Sequence, residues 1–337
     1  MIVLNLGVGG YRMKKVLLVL TSIIFIFSFI IFSISCSKTN PAASDPTSTP
    51  IQTPTPVQTP TPVPFYKFVT QWGSMGSADG QFNGYSIAVD GSNNVYVADQ
   101  YNNRIQEFSS TGIFVTKWGS YGTGNGQFGT IWGIAAYSNT NIYIADSGNS
   151  RIQSFNVSGG YLNKWASYSF AIATDSSGNV YITDPGFNST YAIIKFSSSG
   201  TLITQWGIQG TGNGQFQIPY GITADSLGNI FVSDDYSNRI QKFSNTGTYI
   251  MQWGTYGTGN GQFIQPHGLA ADSTGNIFVA DTSNNRIQKF DNNGNFLGEW
   301  GGPGSGNGQF ANPWDVAVDS NGYVYVIDSY HIQKFMP

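Results

Sequence analysis

Residues 249–290 read YIMQWGTYGTGNGQFIQPHGLAADSTGNIFVADTSNNRIQKF. Four stretches, YIMQW, GLAAD, IFVAD and RIQKF, alternate apolar with polar or small residues, which is the two-residue period of a strand. Between the last three lie DSTGN and TSNN, where Asp, Asn and Gly supply turn chemistry. The remaining stretch, GTYGTGNGQFIQP, is too rich in glycine for a helix and reads as a long connection between strands. The same phrase recurs along the chain. Its tryptophan appears as Trp72, Trp118, Trp165, Trp206, Trp253 and Trp300, at spacings of 46, 47, 41, 47 and 47 residues. A period in this range with four short strands per unit is the signature of a β-propeller blade.

Strand counting predicts how the ring closes. The strand ending in tryptophan first occurs at Phe68–Trp72, before any of the other three, and each of the four kinds occurs six times. The chain therefore supplies six four-stranded antiparallel blades, an all-β fold in which the N-terminal strand completes the last blade. Such an overlap leaves no free edge at the chain ends.

The motifs GQF…PxG (Gly261, Gln262, Phe263, Pro266, Gly268), D…GN (Asp272, Gly275, Asn276) and AD…NNRIQKF (Asp281, Asn284, Asn285, Arg286 to Phe290) resemble the NHL repeat. GQF occurs in five repeats, and the third is shortened to KWASYSF. The resemblance implies the propeller but no single activity, because one fold hosts many functions. Ubiquitin-ligase members carry a Cys/His-rich zinc domain ahead of the propeller; this chain does not, so that activity is not carried over.

Only 10% of the 337 residues are charged, against 42 Gly, 19 Tyr, 23 Phe and 8 Trp. One cysteine excludes a disulfide framework and a multi-cysteine zinc site. Residues 65–337 hold 11 basic and 17 acidic side chains, a balance of −6, which argues against a nucleic-acid partner. Ahead of the repeats, Arg12, Lys14 and Lys15 precede a predominantly apolar run from Val16 to Ile34 that ends at Ser35-Cys36. This is the layout of an export signal, and Ser33-Ile34-Ser35-Cys36 resembles the lipobox of bacterial lipoproteins, in which the cysteine is acylated. An uncleaved helical anchor is the alternative. The same layout leaves open whether Met1 or Met13 is the start. Residues 37–64 are dominated by Thr-Pro repeats that favour extended polyproline II, and 25 such residues reach roughly 75 Å at about 3.1 Å each. The expected organisation is thus an export signal or anchor over residues 1–36, a stalk over 37–64 and a propeller over 65–337. It places the protein in the cell envelope, membrane-anchored through Cys36 or the apolar segment, and outside the cytoplasm.

Two sets of carboxylates repeat with the blades. Asp99, Asp146, Asp184, Asp234, Asp281 and Asp328 follow the second strand and are expected to accept N–H bonds in the loop that follows; Asp90, Asp175, Asp225, Asp272 and Asp319 start hairpin turns. Arg104, Arg151, Arg239 and Arg286 share one slot, filled by Ala192 in the third blade and His331 in the sixth. The two glutamates, Glu107 and Glu299, fall in outer strands. No GxSxG elbow is present, one imidazole near the channel makes no zinc site, and neither metal nor cofactor is expected. One slot stands apart. Tyr85, Trp132, Phe170, Tyr220, His267 and Trp314 each lie at the start of an innermost strand, and all six are rings. They are expected to form a collar at one mouth of the central channel, either as a packing plug or as a ligand-binding surface. Asp315, in place of the usual glycine, adds an acceptor beside Trp314. The function this implies is a tethered binding or scaffold module for a protein, peptide or glycan, with catalysis of the lyase or hydrolase kind through His267 and Asp315 as the alternative.

Overall fold

The computed structural model describes residues 66–185 and 192–337; the apolar segment, Cys36 and the Thr-Pro stretch lie outside them. Six four-stranded antiparallel sheets are arranged as a β-propeller. In the first blade the strands are Ser86–Val89, Val95–Asp99, Arg104–Phe108 and Phe114–Trp118, running from the channel outward. Innermost strands of the other blades are Ile131–Tyr137, Ile172–Thr174, Pro219–Ala224, Pro266–Ala271 and Asp315–Val318. The sixth blade takes its outer strand from Lys67–Trp72, which pairs antiparallel with His331–Met336 from Lys67↔Met336 to Trp72↔Ile332. Tyr66 then stacks on Trp300, centroids 4.5 Å apart, so the closure is packed as well as hydrogen-bonded.

Burial explains the composition. In the first blade every residue of the second and third strands is buried, whereas the outer strand alternates half-buried with exposed. A strand covered on both faces reads as near-continuous apolar sequence; the charges there keep polar partners, as Arg104 does with Asp99 at 2.7 Å, and Glu107 falls in this buried third strand and not in an outer one. The phenylalanines of the five GQF motifs, Phe82, Phe128, Phe216, Phe263 and Phe310, are fully buried, each worth about 2–3 kcal/mol of burial. They pin the glycine-rich connections to the core, and Gln127 Oε1 accepts from Gly124 N–H within one of them. Gly126 N–H in turn donates to Gln153 Oε1 of the third strand. These long connections are therefore held at both ends and in the middle.

The repeated Asp–Arg pair is structural. Asp146 Oδ2 receives Arg151 Nε at 2.7 Å, and the same guanidinium donates to the carbonyls of Thr123, Gly124 and Gln127. Backbone donors reach Asp146 from the connection before its blade, through Gly129 N–H at 2.8 Å, not from the loop after it. Asn149 Nδ2 meets the same carboxylate from the following turn. Each such Asp is thus a hub joining the incoming connection to the second and third strands. In the sixth blade His331 sits opposite Asp328, as an arginine does elsewhere.

Candidate functional site

The six rings expected at the channel mouth touch in sequence around it. Centroid distances are 6.2 Å for Tyr85–Trp132, 5.3 Å for Trp132–Phe170, 5.4 Å for Phe170–Tyr220, 4.1 Å for Tyr220–His267, 4.9 Å for His267–Trp314 and 4.6 Å for Trp314–Tyr85. The circuit closes. His267 is buried and the other five are half-buried, so those five keep part of their surface toward solvent while their sides pack on neighbours. Burial pushes the Tyr85 hydroxyl up to about 12, helped by its hydrogen bond to Tyr101 at 3.4 Å. Tyr220 is raised as well, by burial first and then by Asp235 and Asp315.

Beneath the rings the innermost strands enclose a cavity of about 240 Å³, walled largely by alanine, isoleucine, valine and threonine. Asp315 is the carboxylate in that wall. Its Oδ2 accepts from Ser86 Oγ at 2.8 Å and Ile87 N–H at 3.1 Å, and its Oδ1 from Val316 N–H at 2.9 Å. Asp315 thereby ties the sixth blade to the first, and Ser86 Oγ passes the link on by accepting from Ile134 N–H of the second. Opposite it, a Cβ on Gly268 would fall 2.1 Å from Asp315 Oδ1, so the carboxylate fits only because the fifth blade has glycine there. Burial raises the Asp315 carboxyl to about 7 against the pull of its three donors.

His267 is directed to a carboxylate other than Asp315. It lies flat between Tyr220 and Trp314, and its Nε2 is 3.5 Å from Asp235 Oδ1. His267 Nδ1 and Asp235 Oδ1 are buried without a hydrogen-bond partner. Asp235 was not among the residues expected from sequence. Its signal was available: the residue after the repeated Asp is Gln100, Ser147, Pro185, Thr282 or Ser329 in the other five blades, and only here a carboxylate. Among the described residues, no three His, Cys, Asp or Glu side chains converge as metal ligands.

Around the rings lie the turns after the second strands and the glycine-rich connections, which carry exposed Tyr101, Tyr121, Tyr236 and Tyr256. The NHL repeat model matches residues 263–290 and 310–333, which take in the three inner strands of the fifth blade and those of the sixth up to Gln333. The chain thus carries NHL-type repeats in its last two blades. NHL repeat-containing protein 3 of Homo sapiens is 34% identical over 67 residues, covering 20% of this chain and 19% of that protein. The match thus spans about a fifth of the curated relative's length. Among solved structures, a streptogramin B lyase superposes with a TM-score of 0.56 at 15% identity, covering 81% of this chain and 98% of that one. Virginiamycin B lyase from Staphylococcus aureus gives 0.53 at 18% identity, covering 74% and 79%. At such identities the likeness concerns the propeller fold.

Proposed function

We propose that this NHL propeller is a binding module held outside the cytoplasm by its N-terminal segment, presenting the ring-centred face to a protein, peptide or glycan. The closed aromatic circuit carries the reading. Tyr85, Trp132, Phe170, Tyr220 and Trp314, with His267 buried among them, give a rigid, half-buried aromatic floor, and the connections around it are cross-tied before any ligand arrives. A surface ordered in advance loses little entropy on binding. Acylation of Cys36 and a Thr-Pro stalk belong to the same proposal, and mass spectrometry of the mature N-terminus tests them. Binding is tested by screening the full chain against peptide and neutral-glycan arrays beside the variant Trp132→Phe/Trp314→Phe. That variant keeps rings in the circuit but removes both indoles. Loss of capture at an unchanged melting temperature supports the reading; capture of nothing by the parent protein, or unchanged capture by the variant, overturns it.

A second reading, an enzyme of the lyase or hydrolase kind, draws on the orphaned Nδ1 of His267 and its neighbour Asp235. A general acid or base needs a titratable group with an unsatisfied atom facing the reactant. Metal analysis of the purified protein separates the two: stoichiometric zinc or calcium favours the enzyme.

A further inference from the structure

A second concavity on the ring-bearing face, between the first and second blades, has a lining unlike that of the channel. Its volume is about 530 Å³, and Tyr101 and Tyr121 stand on its rim, 65% and 80% exposed. Thr123, Thr130, Gln127, Asn149 and Asn103 contribute hydroxyls and amides, and no charged side chain lines it. Gln100, also in the lining, has a buried Oε1 with no hydrogen-bond partner. A buried acceptor left unpaired costs about 1–3 kcal/mol, so it gains most from a ligand that brings a donor.

The lining includes two positions at which the second blade departs from the repeat. Gly129 stands where the fourth blade has Gln217 and the fifth has Ile264; Gly148 stands where the fifth has Ser283. In those blades side-chain pairs join the corresponding loops, Ser237 Oγ to Gln217 Oε1 at 3.0 Å and Ser283 Oγ to Gln265 Oε1 at 2.6 Å. In the second blade the backbones pack directly instead: a Cβ on Gly148 would meet Thr130 N at 2.2 Å. The floor is bare, and Asn103 Nδ2 fixes one side of it by donating to Gly129 O at 2.6 Å.

We infer that this groove binds a neutral oligosaccharide. Exposed tyrosine faces suit the apolar face of a pyranose. Amide and hydroxyl groups with an unpaired buried acceptor suit its hydroxyls, and an uncharged lining offers nothing to an anionic or cationic ligand. The hydrogen bond between the Tyr101 and Tyr85 hydroxyls links the groove to the central rings. The inference rests on the reading of this face as a binding surface and assigns it a ligand class and a place.

The test is calorimetric titration of the full chain with chitohexaose and with cellohexaose. At least one should bind with a sub-millimolar Kd. Tyr121→Ala should weaken it by about tenfold or more and Tyr121→Phe should leave it within about threefold, because stacking area and not the hydroxyl is removed or kept. Thr130→Trp, at an exposed position, should block the groove, while Tyr256→Ala in the fifth blade should change nothing. Binding of neither sugar, or binding that survives both Tyr121→Ala and Thr130→Trp, overturns the proposal. If sugar binding instead disappears in Trp132→Phe/Trp314→Phe, or if peptides bind and sugars do not, the groove assignment fails while the binding-module reading stands.

Discussion

His267 lies parallel to Tyr220, with ring centroids 4.1 Å apart and planes 14° from each other. This contact joins the fourth blade to the fifth at the channel mouth, and its counterparts join every other neighbouring pair. A histidine that sequence inspection marks as a catalyst candidate is thus also one stave in a ring. Its carbonyl accepts from Ser233 Oγ at 2.7 Å, which fixes the backbone beneath the imidazole.

Because the circuit is closed, shortening two of its members should be felt as stability. Trp132→Ala with Trp314→Ala removes four ring contacts, each worth about 0.5–1.5 kcal/mol beyond area burial, so the double variant should lose at least about 2 kcal/mol. In a propeller of this size that lowers Tm by several degrees. Trp132→Phe/Trp314→Phe should stay close to the parent. Differential scanning calorimetry of the three proteins checks this, and equal Tm values would show that the rings carry no packing role.

Asp315 makes stability depend on pH in the sense opposite to a salt-bridged carboxylate. Its folded pKa, about 7, lies above the ordinary 3.8, so between these values the folded state holds a proton that the unfolded state has lost. Stability therefore falls as pH rises from about 4 to about 7, with a limit of about tenfold in the folding equilibrium per pH unit. Asp315→Asn should flatten that slope and gain relative to the parent at pH 8. Urea midpoints measured across this range test it; parallel slopes for both proteins would contradict the assignment.

The blade count, the strand order and the closure by Phe68–Trp72 are legible in the sequence because each repeat restates them. The position of the six rings is legible for the same reason, as one slot read six times. What escapes that reading is whatever depends on a departure in a single blade. Asp235 meets His267 across a blade boundary, and the groove of Tyr101 and Tyr121 has Gly129 and Gly148 in its lining where the fifth blade carries Ile264 and Ser283. Alternation also says nothing of three-dimensional approach, so the sequence points the hub aspartates to the following loop, whereas their backbone donors come from the preceding connection. The hydrogen bond from Gly129 N–H spans 17 residues, farther than any turn.

The Asp–Arg hubs should not be equivalent. Asp146 is fully buried, and Arg151 serves its carboxylate and three carbonyls at once. Arg151→Ala strands a buried charge and should cost about 3–5 kcal/mol. His331→Ala, in the same slot of the sixth blade, should cost much less, because the burial of Asp328 already raises its pKa and eases protonation. Chemical denaturation of the two variants decides the point, and equal losses would mean that the arginine acts by bulk alone.

Closure offers the last test. Trp72 belongs to the strand that the N-terminal segment lends to the sixth blade, and it packs on Phe108 of the first blade and Tyr325 of the sixth, at 6.2 and 6.1 Å. Gly112, at φ +86°, brings the first blade's hairpin turn against its indole; a Cβ there would come within 2.6 Å of the ring. Trp72→Ala should therefore cost about 3–5 kcal/mol, as for other large aromatic truncations. Trp206→Ala should cost a similar amount, because that indole contacts Tyr181 and Phe243 at 6.3 and 6.0 Å. The two should differ in mode. Trp206 lies in a strand continuous with its blade, whereas Trp72 lies in one held only by pairing with His331–Met336 and by side-chain packing. Limited proteolysis should release the segment ahead of residue 73 far faster in Trp72→Ala than in Trp206→Ala, and equal release rates would show that the borrowed strand is not the latch of the ring.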